Sequence, residues 1–148
     1  MDVLVLQGAN LSRMGRRLPH KYGTTTTQEL DQIVIEHARS VGLSVEIFYT
    51  ELEGEAIKRI DQAAREGVRG LIMNPGGFVY SGYALRDCLR DQKFPYIEIH
   101  LSNSAGKGVG SKSIPGEASR AYACGFGPDT YRVALEGMAM LLNGIPLQ

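Results

Sequence analysis

At 148 residues the chain has the size of one ordinary domain, and residues 1–148 are expected to form a single one. With 43% hydrophobic and 22% charged residues it carries apolar material for one core, which excludes a disordered chain. Lys plus Arg and Asp plus Glu both number 16, so the formal net charge is zero and nothing global points to nucleic acid or an anionic membrane. Weak repulsion between neutral domains favours self-association instead.

The chain starts with Met1-Asp2-Val3-Leu4-Val5-Leu6-Gln7, which reads as a buried strand over residues 3–6 and lacks the basic flank of a signal peptide. A loop over residues 8–23 follows, rich in glycine, Arg and Lys. Thr26 with Glu29 forms a capping box that opens a helix, with Leu30, Ile33, Val34, His37, Ala38 and Val41 on one stripe and Gly42 as its stop. Residues 45–49 read as a second strand, and 53–66 as a helix with Ala56, Ile57, Ile60, Ala63 and Ala64 facing inward. A third strand spans 70–73, a loop 74–82, a short helix 83–91 and a fourth strand 96–99. Residues 106–116 are glycine-rich and read as structureless. Residues 121–124 form a fifth strand and 129–142 the last helix, where Met138, Met140 or both pack inward.

Five short apolar strands separated by helices predict an α/β fold with a parallel sheet covered on both faces. Right-handed crossovers make it a flavodoxin-like, doubly wound, three-layer sandwich. No apolar run approaches the roughly 20 residues that span a bilayer, so no membrane partner and a cytoplasmic setting are expected. Cys88 and Cys124 lack metal spacing and read as two buried free thiols, and the three histidines are scattered, so no metal site is predicted. No phosphate-binding glycine motif is present, which leaves nucleotide or flavin binding unsupported.

In such folds ligands sit at the carboxyl ends of the strands, here the loops after Leu6, Met73 and Ile99. Glu98 and His100 are two apart on a strand and share a face. A carboxylate beside an imidazole fixes its tautomer and favours its protonated form, a competent general acid near neutral pH. The first loop holds Arg17 and Tyr22. For a tyrosine to act as a base, its pKa must fall from about 10 toward neutrality, roughly 4 kcal/mol, and a guanidinium within about 4 Å supplies much of that in a partly dry site. Asn10 and Asn74 stand at strand ends. Each alone reads as a turn residue, although an amide there can also hold a water or a carboxylate. The backbone amides of Leu101 and Ser102 can bind an anion if they lead into a helix or nest.

Together these residues resemble one family. Gly-x-Asn-Leu at 8–11, Arg-x-x-x-x-Tyr-Gly at 17–23, Asn-Pro-Gly at 74–76, Ala-Leu-Arg-Asp at 84–87 and Glu-x-His-x-Ser-Asn at 98–103 follow the order of the type II 3-dehydroquinate dehydratases. The likeness runs from Val3 to the final helix. It implies elimination of water from 3-dehydroquinate through an enolate, in aromatic amino acid biosynthesis (the shikimate pathway) or in quinate catabolism, with no cofactor. By this likeness Tyr22 takes the proton alpha to the ketone with help from Arg17. Asn10 helps hold a water on the enolate, and His100, oriented by Glu98, protonates the leaving hydroxyl. Asn74 and the amides of Leu101 and Ser102 hold the substrate carboxylate. Asp87 reaches a neighbouring subunit in a homo-oligomer, a trimer-based dodecamer.

The departures cluster on the side that faces the ring hydroxyls. Ala9 stands where the family has proline. Phe78-Val79-Tyr80-Ser81-Gly82 replaces a stretch whose histidine, at Tyr80, touches those hydroxyls. One family arginine appears as Lys107, and the clamping arginine falls near Ser111, with Lys112 adjacent. A lysine does not reproduce a bidentate arginine. Two further readings follow: an enolising enzyme for a related cyclic hydroxy-keto carboxylate, and a non-catalytic ligand-binding paralogue.

Overall fold

The computed structural model describes residues 1–17, 19–104 and 112–144, with Lys21 and Tyr22 followed through the backbone only. The strands are β1 (Val3–Ala9), β2 (Val45–Tyr49), β3 (Gly70–Gly76), β4 (Tyr96–His100) and β5 (Ala121–Cys124). The helices are α1 (Pro19–Tyr22), α2 (Thr27–Ser40), α3 (Glu53–Arg65), α4 (Tyr83–Arg90) and α5 (Thr130–Leu142).

Side chains alternate across each strand, and that alternation builds the two halves of the core. Val3, Val5, Ile72, Ile97 and Ile99 face α2 and α5, where Leu30, Val34, Tyr131, Leu135 and Met138 meet them. Leu4, Leu6, Leu71, Met73 and Tyr96 face α3 and α4, where Ala56, Ile60, Ala63, Leu85 and Leu89 meet them. Each fully buried Leu or Ile contributes about 1.5–3 kcal/mol, so the two layers are the main source of stability. All strand pairs are parallel, in the order β2-β1-β3-β4-β5. The winding direction reverses between β1 and β3, which opens a crevice at their carboxyl ends.

Local chemistry sets the helix ends. The Thr26 hydroxyl accepts from the Glu29 amide while the Glu29 carboxylate accepts from the Thr26 amide, so the expected capping box opens α2. Val41 caps its end and Gly42 follows at φ 76°. Met138 is buried and Met140 exposed.

Some sequence expectations need correction. β1 and β3 run three residues further than residues 6 and 73, to the Ala9–Gly76 pair. Gly8 permits this, since a Cβ there would lie 2.1 Å from the Pro75 carbonyl oxygen. Ala64 is exposed, and Arg59 is the buried residue instead, bonded to Glu46 and Glu66. Two ion pairs allow this guanidinium to be buried. α1 was not anticipated. Of residues 106–116, those from 112 onward are described and include the 3₁₀ turn Pro115–Ala118, so this part is not structureless. Cys88 and Cys124 are free thiols, each half-buried rather than buried. Among the described residues no helix is long and apolar enough to cross a membrane.

Candidate active site

Tyr96, Glu98 and His100 alternate onto the α4 side of β4, so one strand carries three interacting groups. Glu98 is fully buried. One carboxylate oxygen lies 2.7 Å from His100 Nε2, and the other accepts the Tyr96 hydroxyl at 2.6 Å. A buried carboxylate is tolerable only with such partners. Burial, with Glu98 beside it, pushes the Tyr96 phenol far above its usual range, so Tyr96 remains a neutral donor. The His100 side chain is 16% exposed, so the imidazole reaches the sheet edge while its partner stays dry. Neutral β5 completes the wall. Tyr122, opposite Glu98 in register, lays its ring 5.3 Å from the His100 ring at a 35° tilt. Its hydroxyl hydrogen-bonds to Ser104. Gly116 lies over the dyad, and a Cβ on it would come within 2.9 Å and 3.0 Å of the two Glu98 oxygens.

The loop after β1 forms a second group. Asn10 adopts φ 78°, the only positive φ outside glycine among the described residues. The Glu51 carboxylate, just past β2, accepts from the Asn10 amide at 2.7 Å and the Ser12 hydroxyl at 2.5 Å. Arg13 donates to the Asn10 side-chain oxygen. Ser12 and Asn10 hold the Glu51 carboxyl below the usual carboxylate range, with Arg13 and Arg17 adding to the effect. Arg13, Arg16 and Arg17 line a hollow of about 300 Å³. A carboxylate and three guanidiniums thus frame this loop.

Asn74 lies opposite Gln7 in register. Its side-chain oxygen accepts from the Gly76 amide at 3.3 Å, so it acts in part as the turn residue its position suggests. Tyr131 donates to Gln7 Oε1 at 2.6 Å. Burial raises the Tyr131 phenol, and its hydrogen bonds with Asn74 and Gln7 work against that rise. Leu101 packs on the core, and its carbonyl accepts from the Gly127 amide at 2.8 Å. Ser102 is exposed, and residues 101–104 follow β4 with no helix among them.

The structure therefore joins Glu98 with His100 and sets Asn10 in the group framed by Arg13, Arg16 and Arg17. Tyr80, 77% exposed, and Asp87, ion-paired to Arg86 at 3.1 Å, are turned out to solvent. The Tyr22 side chain, Ser111 and Lys107 lie outside the described residues. Sequence reasoning missed Tyr96, Tyr122, Glu51 and Arg13. Tyr96 was within reach of the alternation rule applied to Glu98 and His100. Among the described residues no group of three or more His, Cys, Asp or Glu is gathered to hold a metal ion.

Fold and dyad together define a flavodoxin-like α/β protein with a buried carboxylate–imidazole pair at the carboxyl end of a central strand. The profile of the family described as Dehydroquinase class II matches residues 1–139, and the chain belongs to that family. It is 39% identical to the 3-dehydroquinate dehydratase of Pelobacter propionicus over 142 residues, covering 95% of each chain. It is 33% identical to the catabolic 3-dehydroquinase of Debaryomyces hansenii over 135 residues, covering 90% of this chain and 94% of that one. The crystal structure of type II dehydroquinase from Propionibacterium acnes is 35% identical and superposes with a TM-score of 0.87, over 94% of this chain and 96% of that one.

Proposed function

We propose that this chain is a hydro-lyase that removes water from 3-dehydroquinate to give 3-dehydroshikimate. The observation that carries the chemistry is the 2.7 Å contact between buried Glu98 and His100 at the sheet edge of a family member. In this reading Tyr22 is the base. With Arg17 beside it, the phenolate takes the proton alpha to the ring ketone, and the electron pair moves onto the carbonyl oxygen as an enolate. Asn10 holds a water against that oxygen. The enolate collapses, a carbon–carbon double bond forms, and the β-hydroxyl leaves with a proton from His100 Nδ1, the ring nitrogen that Glu98 does not hold. Glu98 keeps the imidazole oriented. Asn74 and the amides of Leu101 and Ser102 hold the substrate carboxylate, and no cofactor enters any step.

Residues 1–148 act as one domain in this reading, and the enzyme works in the cytoplasm as a trimer-based dodecamer. Support for assembly comes from Asp87 and Tyr80, which face outward where a neighbouring subunit can use them. Ser111 takes the place of the ring-hydroxyl clamp. The test is the appearance of enone absorbance from 3-dehydroquinate. Wild-type turnover no greater than that of Tyr22→Phe would remove the proposal.

A second reading is favoured by one observation, the outward exposure of Tyr80 at the position implied to touch the ring hydroxyls. The pocket then accepts a related cyclic hydroxy-keto carboxylate. A strong preference for 3-dehydroquinate among such substrates would exclude it.

A further inference from the structure

Asn10 is held in an unusual way. It adopts φ 78°, a left-handed conformation that asparagine visits more readily than other non-glycine residues and that holds when its surroundings favour it. Here the constraint comes from another element. Glu51 follows β2, yet its two oxygens take the Asn10 backbone amide and the Ser12 hydroxyl, which straddle the turn after β1. Because β2 and β1 are neighbours in the sheet, the carboxylate reaches the turn directly from the adjoining strand end. Arg13 simultaneously engages the Asn10 side-chain oxygen. That contact occupies the amide oxygen and sets the amide plane, which leaves the Asn10 nitrogen as the donor. A Cβ on Gly77 would stand 3.2 Å from that nitrogen, so the glycine keeps the approach to it open. Neither Glu51 nor Arg13 needs to touch a ligand to have these effects.

We infer that Glu51 is a positioning residue for the dehydration: it fixes the Asn10 backbone, and through it the amide that holds the water on the enolate. The inference rests on the reading of Asn10 given above. Charge-assisted hydrogen bonds to backbone amides are among the stronger ones, and an exposed carboxylate makes them here without core packing. Its removal therefore loosens the turn and leaves the fold intact.

The experiment is a double-mutant cycle with 3-dehydroquinate as substrate. Glu51→Ala is expected to lower kcat about 10–100-fold with KM within about threefold, since the carboxylate pocket lies elsewhere. Glu51→Gln can present its carbonyl to Asn10 and its amide to Ser12, and is expected to restore most of that loss. Asn10→Gly keeps positive φ accessible and removes the amide. If Glu51 works through Asn10, Glu51→Ala should add little further loss in the Asn10→Gly background. Thermal unfolding of each variant separates this from a folding defect. Additive losses, or an unchanged kcat in Glu51→Ala, overturn the inference. An inactive wild-type enzyme overturns the functional reading itself, a different outcome.

Discussion

Glu98 Oε1 lies 2.7 Å from His100 Nε2, and the opposite carboxylate oxygen is occupied by the Tyr96 hydroxyl at 2.6 Å. The carboxylate is thus held from both sides, and the imidazole inherits that fixed geometry. Glu98→Gln retains size but replaces one acceptor oxygen with a donor amide, so it cannot accept from the Tyr96 hydroxyl and hold the imidazole as the carboxylate does. The expected result is a fall in kcat of about 10–100-fold with KM within about threefold, read from enone absorbance. An unchanged kcat would show that His100 is oriented by something else.

Gly116 provides an independent probe of the same carboxylate. A methyl group there would meet both Glu98 oxygens at 2.9 and 3.0 Å and the Ser113 Cβ at 3.0 Å. Two hydrogen bonds pin the carboxylate, so it cannot swing aside without breaking one of them. Gly116→Ala is expected to lower stability by about 1–3 kcal/mol, measured by urea unfolding, and to reduce turnover in parallel. Full activity with full stability would mean that the turn at Pro115–Ala118 shifts freely.

Much of the fold was legible because its signals are local. The capping pair Thr26 and Glu29 are three residues apart, and the strands Val45–Tyr49 and Ala121–Cys124 lie where short apolar runs place them. Glu98 and His100 were legible for the same reason, being two apart on one strand. Glu51, Tyr122 and Gly116 were not. Each reaches the site from a different element, so its relevance depends on strand order and register, and no local pattern encodes either. The ends of β1 and β3 were misjudged because Gly8 and Pro75 are loop signals in isolation. In pairing, the glycine is what lets the two backbones meet.

Asp2 predicts the acid limb of stability. The Ser44 hydroxyl and backbone amide, with Arg69 at 3.2 Å, hold its carboxyl at about 2. A carboxyl lowered in the folded state stabilises above its unfolded pKa, near 4, and loses that contribution as the pH falls toward 2. The side chain is 28% exposed, so solvent screening brings the contribution to about 1–2 kcal/mol. Asp2→Asn should be less stable than wild type at neutral pH by that amount, with the gap closing between about pH 4 and pH 2. Urea unfolding across that range checks it. A constant gap would place the effect in packing and not in the charge.

Arg13, Arg16 and Arg17 surround a hollow of about 300 Å³ in a chain whose formal net charge is zero. A local positive field of this kind draws in an anionic substrate without the whole molecule being basic. The Debye length falls from about 30 Å at 0.01 M to about 3 Å at 1 M salt, so the attraction should fade across that range. For a carboxylate substrate, kcat/KM is expected to drop about 3–10-fold while kcat at saturation changes little. Arg16→Ser should lower kcat/KM at low salt and flatten the salt dependence, because the field is what it removes. Equal salt slopes in wild type and Arg16→Ser would mean that the hollow does not guide the substrate, and the three guanidiniums would then act only on groups within their own reach.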